Sequence, residues 1–231
     1  MKTIGLIGGM SWESSAEYYR LINQGVRDRL GPLRSAEIVL ASLDFGPIAH
    51  AQHEGRWDDT AALLESAARR VQAGGADCVV LCTNTMHKVA DRIAAAADIP
   101  FLHIADPAGE AARRGGHAVV GLLGTAFTME EDFLKDRLAR RHGLSVLVPD
   151  AQERAAVHRI IYDELCVGVV SDASLQVYRA AIAGLARRGA QAVILACTEI
   201  MLLVKPSDVD LPLLDTTALH AAAAVEFALG D

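Results

Sequence analysis

The sequence has no apolar stretch approaching the roughly 18 residues of a membrane span. It has no block of basic residues, and its net charge is −7, so neither nucleic acid nor a membrane surface is expected as a partner. Among Cys78, Cys82, Cys166 and Cys197 no pair has CxxC spacing, and His50, His53, His87, His103 and His220 are scattered, so no metal site is expected. The turn Gly8-Gly9-Met10-Ser11 does not match GxGxxG, and no acidic residue stands in the register of a ribose ligand, which argues against a dinucleotide. The opening MKTIGLIGGM has an apolar run of only about seven residues and leads into a charged segment, so a first strand is expected there and not a targeting signal. These absences fit a cytoplasmic, reduced protein in which disulfides are not expected.

What is present is alternation. With 231 residues and 52% hydrophobic content, the chain can build one large or two small domains. The apolar runs KTIGLIG, EIVLASLDF, DCVVLC, IPFLHI, HAVVGLLG, LSVLVPD, QAVILAC and LPLLDT read as strands buried on both faces. Helical patterns lie between them, among them Glu17–Leu30, Thr60–Ala73, Met129–His142 and Ser174–Arg188. This β-α-β order predicts parallel sheets covered by helices.

The chain also repeats itself. Gly8 aligns with Gly124 (124 − 8 = 116), Ser14 with Thr128 (128 − 14 = 114), Ala76 with Ala190 (190 − 76 = 114) and Pro100 with Pro212 (212 − 100 = 112). The expected fold is α/β, with two pseudo-symmetric domains, each a four-stranded, mainly parallel sheet flanked by helices. An N-terminal half of residues 1–105, joined by a return helix over residues 216–231, is followed by a C-terminal half of residues 106–215. A linker is expected near Asp106-Pro107, and capping boxes at Ser14–Glu17 and Thr128–Glu131. In a duplicated sheet protein the strand ends can line a cleft between the halves, which is where the active site is expected.

Three pairs of strand ends carry candidate chemistry. Gly8-Gly9-Met10-Ser11 and Gly124-Thr125 suit either an anion at a helix N-terminus or a tight turn. Asp44, Phe45 and Gln52, and Val148–Asp150 with Glu153 and Arg154, read more readily as loop-solvating groups than as ligand contacts. In the third pair, the repeat sets Cys82 against Ala196, Thr83 against Cys197, Asn84 against Thr198 and Thr85 against Glu199. Strand side chains alternate, so if Cys197 points into the site, Thr83 is its counterpart and Cys82 points into packing. Cys78 and Cys166 read as small hydrophobes. Cys197, just before a helix start, is expected to have a lowered pKa and to be the functional thiol.

The stretches GLIGGMSWESS, LCTNTMHKVAD and LACTEI together resemble the aspartate/glutamate racemase family, over essentially the whole chain. The resemblance is greatest to the bacterial L-aspartate/glutamate-specific and broad-specificity amino-acid racemases. It implies racemisation without pyridoxal phosphate or any other cofactor, by two groups that take the α-proton from one face and return it on the other. Where similar racemases read Cys-Asn-Thr, this chain reads Thr83-Asn84-Thr85. The resemblance therefore implies Cys197 as base and Thr83 as its opposite-face partner. It also implies Met10, Gln52, Asn84, Thr85 and Thr198 as substrate contacts. Gln52 and Cys166 stand where some aspartate racemases use Arg and Lys, which leaves room for glutamate or for neutral side chains. The implied partners are a small amino acid and further copies of the chain, in a homo-oligomer expected to be a dimer. Hydantoin racemisation, maleate isomerisation, decarboxylation and plain carboxylate binding are the alternatives a one-cysteine site leaves open.

Overall fold

The computed structural model describes residues 1–230. These divide into two compact units, Met1–Ile104 with the C-terminal stretch from His220, and Ala105–Leu219. The first unit runs β1 (Ile4–Gly8), α1 (Trp12–Leu30), β2 (Ile38–Ser42), α2 (Phe45–His53), α3 (Trp57–Ala73), β3 (Cys78–Leu81), a 3-10 turn (Thr85–Val89), α4 (Ala90–Ala95) and β4 (Phe101–Leu102). The second runs α5 (Ala105–Arg114), β5 (Val119–Gly124), α6 (Ala126–Glu130), α7 (Asp132–His142), β6 (Ser145–Leu147), α8 (Ala151–Asp163), a 3-10 turn (Leu165–Val167) and α9 (Asp172–Arg187). It continues with β7 (Ala192–Ala196), α10 (Ile200–Leu203), a 3-10 turn (Pro206–Asp208) and β8 (Leu213–Asp215). The last helix, α11 (Thr216–Leu229), begins in the second unit and ends in the first.

All eight expected strands form, and every pairing is parallel. The strand orders are β2-β1-β3-β4 and β6-β5-β7-β8, so the two sheets have the same topology. The central strands β1, β3 and β7 are buried at every position, as a strand covered on both faces requires. In the first unit, side-chain alternation sorts β3 between two cores. Val79 and Leu81 pack with residues of α2 and α3, while Cys78, Val80 and Cys82 pack with Tyr18 and Ile22 of α1 and Ala221, Ala224 and Val225 of α11. Each fully buried Leu or Ile in such a core contributes about 1.5–3 kcal/mol.

Several local expectations are corrected. The helix caps lie one turn earlier than Ser14 and Thr128: Ser11 accepts from the Ser14 amide and Thr125 from the Thr128 amide. Both helices start almost at the strand end, and the cap repeats at the same spacing (125 − 11 = 114). Asp106-Pro107 is no linker but the first turn of α5, where proline is tolerated because its missing N–H has no helical partner there. Asp106 bonds bidentately to Arg137 of α7 at 2.7 and 2.6 Å and to Arg141 at 2.9 Å. The helix expected over Met129–His142 is two helices, because Glu131 takes an extended conformation (φ −81, ψ 159) and ends α6 while capping α7.

The turn from β1 to α1 is built around glycine. Gly9 has φ +95, and a Cβ there would lie 2.1 Å from the carbonyl oxygen and 2.5 Å from the amide nitrogen of Leu43. Its amide donates to Ser15 Oγ at 2.8 Å, and that hydroxyl donates to the Ser11 carbonyl at 3.0 Å. The Gly9 amide is thus consumed inside the turn, which favours the tight-turn reading over the anion site. Gly9→Ala is expected to cost about 2–4 kcal/mol, from positive-φ strain together with the clash against Leu43. Urea unfolding would read this as a lower midpoint with unchanged slope.

Candidate active site

The first unit gathers five of the seven candidate residues. Thr83 lies two residues beyond β3: the Cys82 amide donates to the Ile7 carbonyl at 2.9 Å, and the Thr83 amide donates to the Leu81 carbonyl at 2.9 Å. Thr83 is half-buried, while Asn84 and Thr85 are buried at the start of the 3-10 turn. His87 fixes this segment from behind. Its Nε2 accepts from the Ile104 amide at 3.2 Å, so in the neutral ring Nδ1 carries the hydrogen and donates to the Thr83 carbonyl at 2.8 Å. Gln52, on α2, is only 4% exposed; its Nε2 reaches Met86 Sδ at 3.6 Å and its Oε1 has no hydrogen-bond partner. Met10 is buried in the same core as Met86 and Ile48. A buried amide oxygen left unmet costs about 1–3 kcal/mol, which a ligand's N–H can recover.

Cys82, one residue before Thr83, is wholly buried, and burial pushes its thiol far above the ordinary cysteine range. Burial likewise pushes Cys78 up to about 12, with Asp77 adding to it against a backbone hydrogen bond from Gly5. Both are packing residues with no route to thiolate near neutrality.

In the second unit Cys197 follows β7 and is half-buried, packed with Cys166 and Tyr162 on the core that holds Leu195 and Tyr178. The lowered pKa expected for it is overturned. Burial raises it first, and the charge of Glu199, with which it also shares a hydrogen bond, raises it further. The Cys197 thiol donates to Glu199 Oε2 at 3.0 Å. The physical reason is local: α10 is only four residues long and begins at Ile200, so a carboxylate stands where a helix N-terminus was expected to act. Thr198, half-buried, lies between them in the chain. Glu199 was visible in the sequence only as the residue opposite Thr85; nothing marked its carboxylate as turning back onto the thiol.

The other strand-end candidates serve the fold. Asp44 caps α2 by accepting from the Gly46 amide at 3.0 Å, and Asp150 with Glu153 forms a capping box at α8. The histidines are less scattered than their spacing implied: His87 and His103 lie 4.5 Å apart by ring centroids, and His87 and His220 6.1 Å apart. His220 donates from Nε2 to the Leu102 carbonyl at 2.7 Å and accepts from the Tyr18 hydroxyl at 2.9 Å, so its role is structural. Among the described residues no group of three or more His, Cys, Asp or Glu is arranged to hold a metal ion, and no helix is long and apolar enough to cross a membrane.

A family model described as Asp/Glu/Hydantoin racemase matches residues 7–224. The solved structure of a candidate Asp/Glu racemase from Yersinia pestis is 51% identical, with 99% of this chain and 100% of that one covered and a TM-score of 0.94. An aspartate racemase homologue from Pyrococcus horikoshii OT3 is 31% identical over 99% of each chain, with a TM-score of 0.86. The aspartate racemase of Picrophilus torridus, 19% identical over 99% of this chain and 94% of its own, shares the fold at a TM-score of 0.78.

The buried thiols make stability fall on the alkaline side. Their folded pKa values lie above the unfolded value of about 8.5, so the unfolded chain holds fewer protons once pH passes that point. The stabilisation is complete below about pH 8.5 and declines as pH rises, each fully buried thiol adding up to about 1.4 kcal/mol per unit. Urea midpoints from about pH 8 to 10 should therefore decline in the wild type and decline less steeply in Cys82→Ala.

Proposed function

The chain belongs to the Asp/Glu/hydantoin racemase family, and from that premise we propose that it interconverts the enantiomers of glutamate or aspartate without pyridoxal phosphate or metal. Membership makes it an isomerase of the racemase type. The observation that carries the finer reading is the equivalence of two strand ends. Thr83 follows β3 and Cys197 follows β7, and these strands hold the same place in the two sheets. Inversion at Cα needs one group for each face, and a duplicated fold supplies two such positions.

In this reading the Cys197 sulfur removes the α-proton of the L-enantiomer. The Thr83 hydroxyl delivers a proton to the opposite face, directly or through water. Asn84, Thr85 and Thr198 supply hydrogen-bonding groups for the substrate's carboxylate and ammonium groups, and Met10 supplies an apolar contact. The Gln52 carbonyl oxygen accepts from the substrate ammonium, which would meet its buried valence. A neutral amide at this position does not fix a side-chain carboxylate at one distance as a cation does, so glutamate and aspartate are both accommodated. A hydroxyl is a much weaker base than a thiolate, so the two directions differ in rate while the equilibrium between enantiomers is unchanged.

Initial rates of racemisation from each enantiomer test this. L-glutamate or L-aspartate should turn over faster than its D-form, and Cys197→Ser should lose at least about a hundredfold, the scale of one general acid–base group. Thr83→Ala should lose activity and Cys82→Ala retain it. Full activity in Cys197→Ser would overturn the assignment. Turnover of a hydantoin, maleate or an arylmalonate in place of the amino acids would overturn the substrate.

A further inference from the structure

We propose that Glu199 is the proton acceptor for Cys197, so that thiol and carboxylate share one proton and the sulfur becomes a base by passing that proton to Glu199 and not to bulk water. The inference rests on the racemase reading for its substrate, but its decisive test does not.

The geometry is local to one strand end. Glu199 lies two residues beyond Cys197 with helical backbone (φ −73, ψ −21), which turns its carboxylate back to meet the thiol at 3.0 Å. The Cys197 carbonyl is also held, since the Ile200 amide donates to it at 3.3 Å. The titratable groups around the thiol come from every neighbouring element. Tyr162 stands on α8, Cys166 on the 3-10 turn after it, Tyr178 on α9, and Glu164 acts on Tyr178. His158 packs on Tyr162, with ring centroids 4.8 Å apart. Burial first, and then Cys166, Cys197 and Glu199, raise Tyr162 to about 12, so it stays neutral. Glu199 is thus an anion hydrogen-bonded to a thiol that burial keeps protonated, and an ordinary lone thiolate would not form here near neutrality.

The proton count closes. In the resting pair sulfur carries the proton and Glu199 is a carboxylate. Transfer of that proton from Sγ to Oε2 leaves a thiolate and a neutral carboxylic acid, with the S–H electron pair retained on sulfur. The thiolate then takes the α-proton, the pair of the Cα–H bond stays on carbon, and the opposite face is protonated from water by way of the Thr83 hydroxyl. Release of the Glu199 proton to water restores the resting pair. Resting and reactive forms contain the same number of protons, so the fraction reached by this transfer does not depend on pH as long as the reactive form keeps its proton on Glu199. Glu199 is in this sense a positioning and proton-holding residue that acts through Cys197.

Alkylation of Cys197 by iodoacetamide, followed through the mass of its own peptide, reads this without any substrate. Between about pH 6.5 and 8.5 the wild-type rate constant should change less than about threefold. In Glu199→Gln the thiol can lose its proton only to solvent, so the rate constant should climb about tenfold per pH unit. Racemisation rates should show the same contrast, flat in the wild type and climbing in Glu199→Gln. Glu199→Asp, which keeps the carboxylate, should restore the flat profile at a lower rate. A wild-type alkylation rate that climbs about tenfold per pH unit would overturn the proposal whether or not Glu199→Gln folds. A flat profile in folded Glu199→Gln would overturn it equally. Loss of the racemase reading alone, with the alkylation contrast intact, would leave the shared proton standing.

Discussion

A thiol that burial holds neutral, hydrogen-bonded to a carboxylate, is the interaction on which the proposed chemistry rests. The Cys197–Glu199 hydrogen bond of 3.0 Å reverses the simple account of a reactive cysteine. A helix N-terminus makes a thiol nucleophilic by stabilising the thiolate. Here the following helix is four residues long and an anion lies against the sulfur, so the thiolate is disfavoured at rest. In the proposed mechanism the thiolate exists only while its proton rests on the neighbouring carboxylate. Formed in a buried site, it would be a strong base, as the weakly acidic α-proton of an amino acid demands.

The fold explains why such a site can arise in one half of a duplicated chain and not the other. Both sheets have the same strand order and both place a side chain just past the third strand in sequence, 114 residues apart (197 − 83 = 114). In the second unit that place holds a thiol with a carboxylate two residues on. In the first it holds a hydroxyl, and the residue two further on is Thr85. The first unit spends its structure differently: His87 clamps the Thr83 backbone, and the buried Gln52 keeps an acceptor unmet. The two strand ends thus differ in chemistry: one sets a thiol against a carboxylate, and the other sets a hydroxyl beside a buried amide.

The sequence made the architecture legible because parallel strands buried on both faces are apolar throughout. The eight runs became eight strands, and the slow drift of the repeat offsets matched two sheets of one topology. The same alternation argument that put Cys82 into packing is met by its complete burial with Tyr18 and Ile22. What could not be read was set by short-range geometry. Whether a hydroxyl at Ser11 or at Ser14 caps α1 depends on how soon the chain turns after β1, which the packing of Gly9 on Leu43 determines. Asp106-Pro107 has linker composition, yet three basic side chains of α7 gather on Asp106 and make it a helix start. The direction of the Cys197 pKa shift is set by burial, the length of α10 and the direction of the Glu199 side chain, and none of these is written in residue type.

The most direct measurement is incorporation of deuterium at Cα when L-glutamate is incubated in deuterated water, for the wild type and Cys197→Ser side by side. The account predicts steady α-deuterium incorporation by the wild type and its loss in Cys197→Ser, with the variant still folded and binding L-glutamate. Undiminished exchange by Cys197→Ser would contradict it, since some other group would then be taking the α-proton.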